Sequence, residues 1–453
     1  MDPTTTDASE KDHRPFLKPA PTPQSPRGKL ISFISVCVFL TITFVNFNLP
    51  VAFLPFYSEE RNISSGWTGL ILGSTHLGLI LGPVFLAGLL LTKFSTPVLM
   101  CACACCTGTF TLLFALLDFV PNLAVFKPLA LLDRFLVGVF GGCLNVTVFA
   151  TLVKIYPDNV GVVTAIGEAV LNTAVASSPF IGAILYAWSG FIVAFIVPGA
   201  IMVVSALPVL RVPDFHSVTD GDKDASGKMS SLMDPWLLFP LWHLASSQIL
   251  MSYHMPLLPV YAEHTFDAGV VWSGAVLLTA TAVVCVASPI LGVLIDKFGP
   301  CKMMLASCVS LPVVYVCVGP LPLLPLSPSR TQLILSLAFL GVSVPMACIS
   351  ALPITFDIYR ARNNGNLPTW VTNSLIALYC AAYPVGLTIG STVSGFIAPY
   401  ASFAWSTGTL GLMYTVESAF CAVFCFMANK MMTESSKAAR YSEVAEFQPL
   451  EKC

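Results

Sequence analysis

Long apolar stretches recur along the chain, each close to the roughly 20 residues a helix needs to cross the hydrocarbon layer. Twelve such segments are read, at 30–54, 67–92, 96–119, 127–152, 159–187, 190–210, 235–259, 270–295, 301–324, 331–356, 370–398 and 403–428. Barrel strands would be about half as long and would alternate in polarity; these segments do not. A backbone exposed to lipid must satisfy its own hydrogen bonds, so the expected fold is an all-α membrane protein. Three polar stretches punctuate the pattern. Residues 1–29 are proline-rich and read as a disordered tail, too long for a signal peptide. Residues 212–234 carry Asp220-Gly-Asp-Lys-Asp224 and read as a flexible linker, and residues 429–453 form a second tail. The expected organisation is therefore two six-helix bundles, 30–211 and 235–428, joined by that linker.

Composition narrows the function. Of 453 residues, 56% are hydrophobic and only 10% charged, against about 25% charged in soluble proteins. A soluble enzyme, a disulfide scaffold and a disordered chain are excluded. The 22 Lys and Arg nearly balance the 24 Asp and Glu, so no nucleic-acid footprint is expected. Their placement is uneven. Only Arg61, Lys127 and Arg330 fall in loops on the side away from the tails, and Arg134 lies inside a span; the other basic residues collect on the tail side. The positive-inside rule then makes both termini cytosolic. Asn62-Ile-Ser64 is a glycosylation sequon on the luminal or extracellular side, whereas Asn145-Val-Thr147 lies within a span and should stay bare. None of the 15 cysteines falls in a luminal loop, so no structural disulfide is implied. No metal site and no cofactor are expected; the Cys101-Ala-Cys-Ala-Cys-Cys106 cluster has no nearby histidine and reads as helix packing.

The two halves repeat. Leu54-Pro-Phe-Tyr-Ser-Glu-Glu60 matches Leu258-Pro-Val-Tyr-Ala-Glu-His264, and Gly88-Leu-Leu-Leu-Thr-Lys-Phe94 matches Gly292-Val-Leu-Ile-Asp-Lys-Phe298 at the same offset. Trp67-Thr-Gly69 matches Trp272-Ser-Gly274 one residue further on. Such duplication suits a transporter whose halves rock about a site between them.

At these residues the chain resembles the major facilitator superfamily. Gly292-Val-Leu-Ile-Asp296-Lys297-Phe-Gly299 looks like its loop motif, which implies a conformational latch made by Gly292, Asp296 and Lys297. Asp296 is expected to cap the next helix and pair with a neighbouring cation. Thr92 and Ser95 make the first-half copy degenerate. Arg134-Phe-Leu-Val-Gly138 looks like the intramembrane arginine motif and Ser178-Pro-Phe-Ile-Gly182 like the antiporter motif, whose upstream glycines are here Ala174, Ser177 and Ser178. Phe53-Leu-Pro-Phe-Tyr-Ser-Glu-Glu60, Ile155-Tyr-Pro-Asp-Asn159 and Val318-Gly-Pro-Leu-Pro-Leu-Leu324 are most similar to the vesicular amine transporter family, in particular its polyamine branch. That resemblance implies exchange of protons for organic cations across acidic organelle membranes. The monoamine branch carries an acid in span 1; here Asn46 and Asn48 stand instead.

Ionisable groups inside a span cost about 2.5–3.5 kcal/mol on insertion scales and face the protein interior or a wet cavity. Glu168 lies nine residues into span 5 and shares a helix face with Asn172, Val175, Pro179 and Gly182. It is the candidate for exchanging a proton against a cationic amine. Arg134 shares a face with Gly138, Gly141 and Asn145, and reads either as a charge relay or gate in proton coupling or as a structural arginine holding Asp133. Candidate substrate-binding residues are Asn46, Asn145, Asn172, His243, His254, Tyr379 and Tyr383. His243, Ser247 and His254 share one face of span 7, and Tyr379, Tyr383, Gly386 and Gly390 one face of span 11. His76 in span 2 and Glu417 in span 12 read as structural.

The leading expectation is a secondary transporter, a proton-coupled exchanger of small organic cations working by alternating access as a monomer in the lipid bilayer. Vesicular or endolysosomal membrane and plasma membrane both stay open. Two alternatives remain: a facilitator of a neutral or anionic solute bound by Arg134, and a transport-dead receptor or scaffold. No nucleotide loop, catalytic triad or HExxH motif is visible, so no enzyme is expected.

Overall fold

The computed structural model describes residues 26–83, 94–156, 160–209, 232–323, 325–363 and 365–446. The loop repeat Gly88–Lys93, the linker up to residue 231, Pro157–Asn159 and both chain ends lie outside the described residues, as does the Glu168 side chain. Every regular element described is helical. In chain order these are α1 (Pro26–Asn48), α2 (Leu54–Glu60), α3 (Ser65–Leu81), α4 (Thr96–Leu116), α5 (Leu123–Ile155), α6 (Val160–Val209), α7 (Pro235–Tyr253), α8 (Leu258–Phe266), α9 (Val270–Phe298), α10 (Pro300–Val318), α11 (Arg330–Arg362), α12 (Thr369–Ile397) and α13 (Phe403–Glu446). Leaving aside the short α2 and α8, and reading α6 as two arms, they give the twelve expected crossings.

The arms of α6 meet at Gly190, whose φ of 76° and ψ of −174° reverse the chain. That backbone belongs to glycine because a Cβ is strained at positive φ. Span 1 ends earlier than hydropathy suggests. Pro50 and Pro55 cannot donate into a continuing helix, so α1 stops at Asn48 and α2 begins with Pro55 in its first turn. Pro259 does the same for α8. The two short helices start at repeat-equivalent leucines, Leu54 and Leu258. At the other end of the chain, α13 runs on through the expected polar tail to Glu446, helped by a Lys430–Glu434 pair one turn apart at 4.0 Å.

Within the first half, α3 packs on α5, α4 on α5 and α6, and α1 on α6. Within the second, α7 packs on α11 and α12, α10 on α11 and α13, and α9 on α11. Two seams join the halves, α3 with α12 and α6 with α9. Close approach explains the glycines there. A Cβ at Gly395 would stand 3.1 Å from the Gly69 Cα across the first seam. One apolar cluster lies in each half, around Phe39, Leu144 and Met202 in one and Met304, Ile358 and Phe424 in the other, and a larger one with Phe53, Phe195, Leu258 and Tyr315 runs across both. The outer surface is apolar too: Val293, Phe339 and Phe426 are more than half exposed. Eight helices are long and apolar enough to cross a membrane by length and composition, and such a surface suits lipid.

Candidate functional site

A narrow cleft with a cavity of about 20 Å³, room for about one water, lies between the halves. Asn48 and Val51 line it from the end of span 1, Val175 and Pro179 from α6, Met251, His254 and Met255 from the end of α7, and Leu277 and Thr281 from α9. The walls are mainly apolar, with Asn48, His254 and Thr281 supplying the polar groups. Such a mixture would hold a small organic solute by few directional contacts only once the halves part.

The α6 wall is the face read from the sequence. Val175 and Pro179 line the cleft, and Gly182 lets the Leu49 carbonyl approach where a Cβ would collide. Glu168 lies seven residues before Val175, two turns along the same helical face. Asn172 lies between them and is half-buried. Thr281 donates to the Ala176 carbonyl at 3.3 Å, tying α9 to this wall.

The histidines of span 7 part company. His254 follows the last residue of α7 and lines the cleft, buried, its Nδ1 3.4 Å from the Leu250 carbonyl. His243 is fully buried inside the second half. Its Nε2 is 2.9 Å from Ser307 Oγ, and its Nδ1 is 3.2 Å from the Tyr414 hydroxyl and 3.4 Å from Glu417 Oε1. A shared helical face does not give a shared environment, because helices cross their neighbours at an angle.

Asn46 and Asn48 also diverge. Asn46 is buried within the first half, where its Nδ2 donates to the Ile42 carbonyl at 2.8 Å and the Pro198 carbonyl at 3.4 Å. Asn48, two residues on, reaches the cleft. The Asn145 Oδ1 is buried without a hydrogen-bond partner. Tyr379 donates to the Cys348 carbonyl at 3.3 Å, and Tyr383 is 39% exposed. Gly386 and Gly390 serve packing, each facing the backbone of α7.

Arg134 is sealed inside the first half with no exposure. Its Nε and Nη2 donate to Asp133 Oδ2 at 3.2 and 3.0 Å. Its guanidinium lies 4.3 Å from the Phe114 ring centre and 5.3 Å from that of Phe195. The charge is held by its neighbour and two rings, while Nη1 is buried without a hydrogen-bond partner. Gly138, one turn on, admits the Thr75 carbonyl of α3.

One expected interaction is corrected. Gly299, not Asp296, takes the N-cap position of α10, with φ at 87°. Asp296 is in the last turn of α9, exposed beside Lys297, because α9 continues three residues further than a cap would allow. Gly292 is half-buried and a Cβ there would meet nothing within 4 Å. Asn62 is exposed in the α2–α3 turn at φ 57°.

Sequence reasoning passed over Met251, Met255 and Thr281. The two methionines flank His254 at one-turn spacing, which was a legible signal for a soft, adaptable wall.

The sequence profile of the Major Facilitator Superfamily matches residues 32–372. Among curated proteins, the chain is 26% identical over 397 residues to the mouse MFS-type transporter SLC18B1, covering 85% of this chain and 84% of that one. It is 24% identical over 368 residues to the mouse synaptic vesicular amine transporter, covering 80% and 68%. Among solved structures, a bacterial homolog of the human lysosomal transporter Spinster, inward-facing, superposes with a TM-score of 0.67 at 12% identity over 91% of this chain and 99% of that one. The inward-open xylose transporter XylE from E. coli gives 0.64 at 12% identity over 86% and 96%. At that identity the likeness concerns the fold.

Proposed function

The chain belongs to the Major Facilitator Superfamily of membrane transporters, and on that premise we propose that it exchanges protons for small organic cations, amine or polyamine in type. The single observation that carries this reading is the α6 face. The stretch that carries Glu168 in the sequence continues into Val175 and Pro179 on the cleft wall. A carboxylate two turns along the helix from a wall of apolar, amide, hydroxyl and imidazole groups is the natural partner for an ammonium. Proton and cation compete for it, and the two halves rock to present it to each side in turn. Similarity to the vesicular amine transporter supports the same substrate class.

The remaining parts follow the sequence. Both termini face the cytosol, Asn62 is glycosylated on the other side, the working unit is a monomer, and the membrane is a vesicular, endolysosomal or plasma membrane. The bundles span 30–211 and 235–428 with tails at 1–29 and 429–453. Gly292, Asp296 and Lys297 form the loop latch. Asn172, His254 and Tyr383 contact substrate as the cleft opens. One proton moving down one pH unit releases about 1.4 kcal/mol, about tenfold accumulation of a partner exchanged one for one.

The test is uptake of labelled spermidine by proteoliposomes under an imposed pH step. Gradient-dependent uptake is expected from the native chain, and its loss with retained downhill exchange from Glu168→Gln. Equal uptake with and without the pH step in the native chain overturns the proposal.

A further inference from the structure

Behind the cleft, inside the second half, three metal-binding side chains from three helices converge. His243 comes from α7, Cys308 from α10 and Cys421 from α13, all buried, with their donor atoms within 4.8 Å of one another. The imidazole is oriented. Its Nε2 faces Cys308 Sγ at 3.5 Å, with Nδ1 further away at 4.0 Å. Nδ1 faces Glu417 Oε1 at 3.4 Å and the Tyr414 hydroxyl at 3.2 Å. Glu417 is itself fixed by a 2.5 Å hydrogen bond from Ser246 Oγ. One ring nitrogen toward sulfur and the other toward a held carboxylate is the arrangement that orients a metal-binding histidine.

We propose that His243 Nε2, Cys308 Sγ and Cys421 Sγ bind one Zn(II) ion, with Glu417 and Tyr414 holding the ring from behind. Zinc bonds of about 2.0 Å to nitrogen and 2.3 Å to sulfur at the tetrahedral angle separate the two donors by about 3.5 Å, the spacing found between His243 and Cys308. Two thiolates bound to zinc stand about 3.8 Å apart, so Cys421 has at most about 1 Å to close. Ser307 Oγ lies 2.9 Å from Nε2 and donates to the Met304 carbonyl at 2.6 Å, so zinc takes the place of that Nε2 contact. Charge favours a dication over copper(I). A dication, two thiolates and a neutral imidazole sum to zero, which removes the cost of a net charge in a low-dielectric interior. Binding expels both thiol protons, so occupancy falls with acid. The ion ties α7, which lines the cleft, to the peripheral α10 and α13.

The test uses the full chain purified in detergent and equilibrated with Zn(II) alone or Co(II) alone. About one zinc per chain and a thiolate-to-cobalt charge-transfer band are expected. Cys308→Ser and Cys421→Ser each lower bound zinc at least tenfold, Cys37→Ser on α1 leaves it unchanged, and Glu417→Gln weakens affinity about 10–100-fold. No stoichiometric zinc in the native chain, or zinc undiminished in both cysteine variants, overturns the proposal. So does a Cys308–Cys421 disulfide in the alkylated protein, or uptake of copper(I) with exclusion of zinc. Where a cysteine variant fails to fold, the native cobalt spectrum decides: the charge-transfer band supports the site and its lack refutes it.

Discussion

His264 Nε2 lies 2.8 Å from Glu59 Oε1, a contact that joins α8 to α2 and so one half of the molecule to the other. The internal repeat places Glu263 opposite Glu59 in the pattern and His264 opposite Glu60. One substitution in the second copy, acid to histidine, therefore supplies the base that a symmetric pair of acids lacks. Ser65 Oγ reinforces the same end of the molecule by donating to the Gly395 carbonyl at 2.9 Å.

This end should close more firmly as the pH on its face falls. The His264 contact is ionic only when the imidazole is protonated. Burial pushes the Glu263 carboxyl up, with Glu59, Glu60 and Asp267 adding to the rise and His264 opposing it. A raised carboxyl favours its protonated form in the closed arrangement. That contribution is full below the ordinary carboxylate value and disappears as pH climbs through the raised one. Exposed pairs contribute about 0.2–1 kcal/mol, so the closed-to-open ratio should change by at most about fivefold. Amide hydrogen exchange of Leu54–Glu60 and Leu258–Phe266 should slow on acidification, and Glu263→Gln should flatten that dependence. Equal slopes in the two proteins would remove Glu263 from the closure.

A side chain at Gly395 should hold the same end open. Its Cβ would stand 3.1 Å from the Gly69 Cα and collide with the Ser65 carbonyl. Overpacking of this kind costs about 1–3 kcal/mol, enough to shift the closed-to-open ratio by about 5- to 150-fold. Gly395→Leu should still fold, since the clash is between halves rather than within one. It should lose gradient-driven uptake and show faster exchange in α2 and α8. Wild-type turnover in this variant would show that closure of this seam is not needed.

The crossings were legible because hydropathy at the length of a lipid-crossing helix is a coarse signal that packing rarely overrides. Pro55 and Pro259 marked the starts of α2 and α8, a signal the hydropathy spans ran through. Side-chain direction was not legible. Asn46 and Asn48 differ by two residues, yet one feeds the carbonyls of its own half and the other reaches the cleft. His243 and His254 share a face by register but meet different neighbours. The thiols around His243 come from α10 and α13, at positions 308 and 421, and no spacing rule within one span could join them. Gly299 displaced Asp296 as a cap because a positive-φ glycine there suffices to turn the chain.

Arg134 should matter more for folding than for transport. Asp133 and Arg134 are both buried and hydrogen-bonded to each other. Removing one partner of a buried pair costs about 3–5 kcal/mol, because the other charge is left without compensation. Arg134→Met should therefore lower thermal stability sharply, while Arg134→Met with Asp133→Leu should recover much of the loss. Where the double variant folds, uptake under a pH gradient should be at least a tenth of native. Native-like stability with abolished uptake would instead give Arg134 a direct role in proton coupling.

Introducing an acid at Asn48 should sharpen selection for singly charged amines. Of the two span 1 amides Asn46 and Asn48, only Asn48 lines the cleft. A carboxylate at this wall attracts an ammonium with about 4 kcal/mol at 4 Å and an effective dielectric of 20. Desolvation of both ions consumes much of that gain, leaving about 1–2 kcal/mol, or about tenfold in apparent affinity. Asn48→Asp should thus tighten a monoamine about tenfold in proteoliposome competition. Asn46→Asp should not, because its charge would sit among the Ile42 and Pro198 carbonyls, where it destabilises the first half. If both variants tightened equally, the cleft as described here would not be where the cation binds.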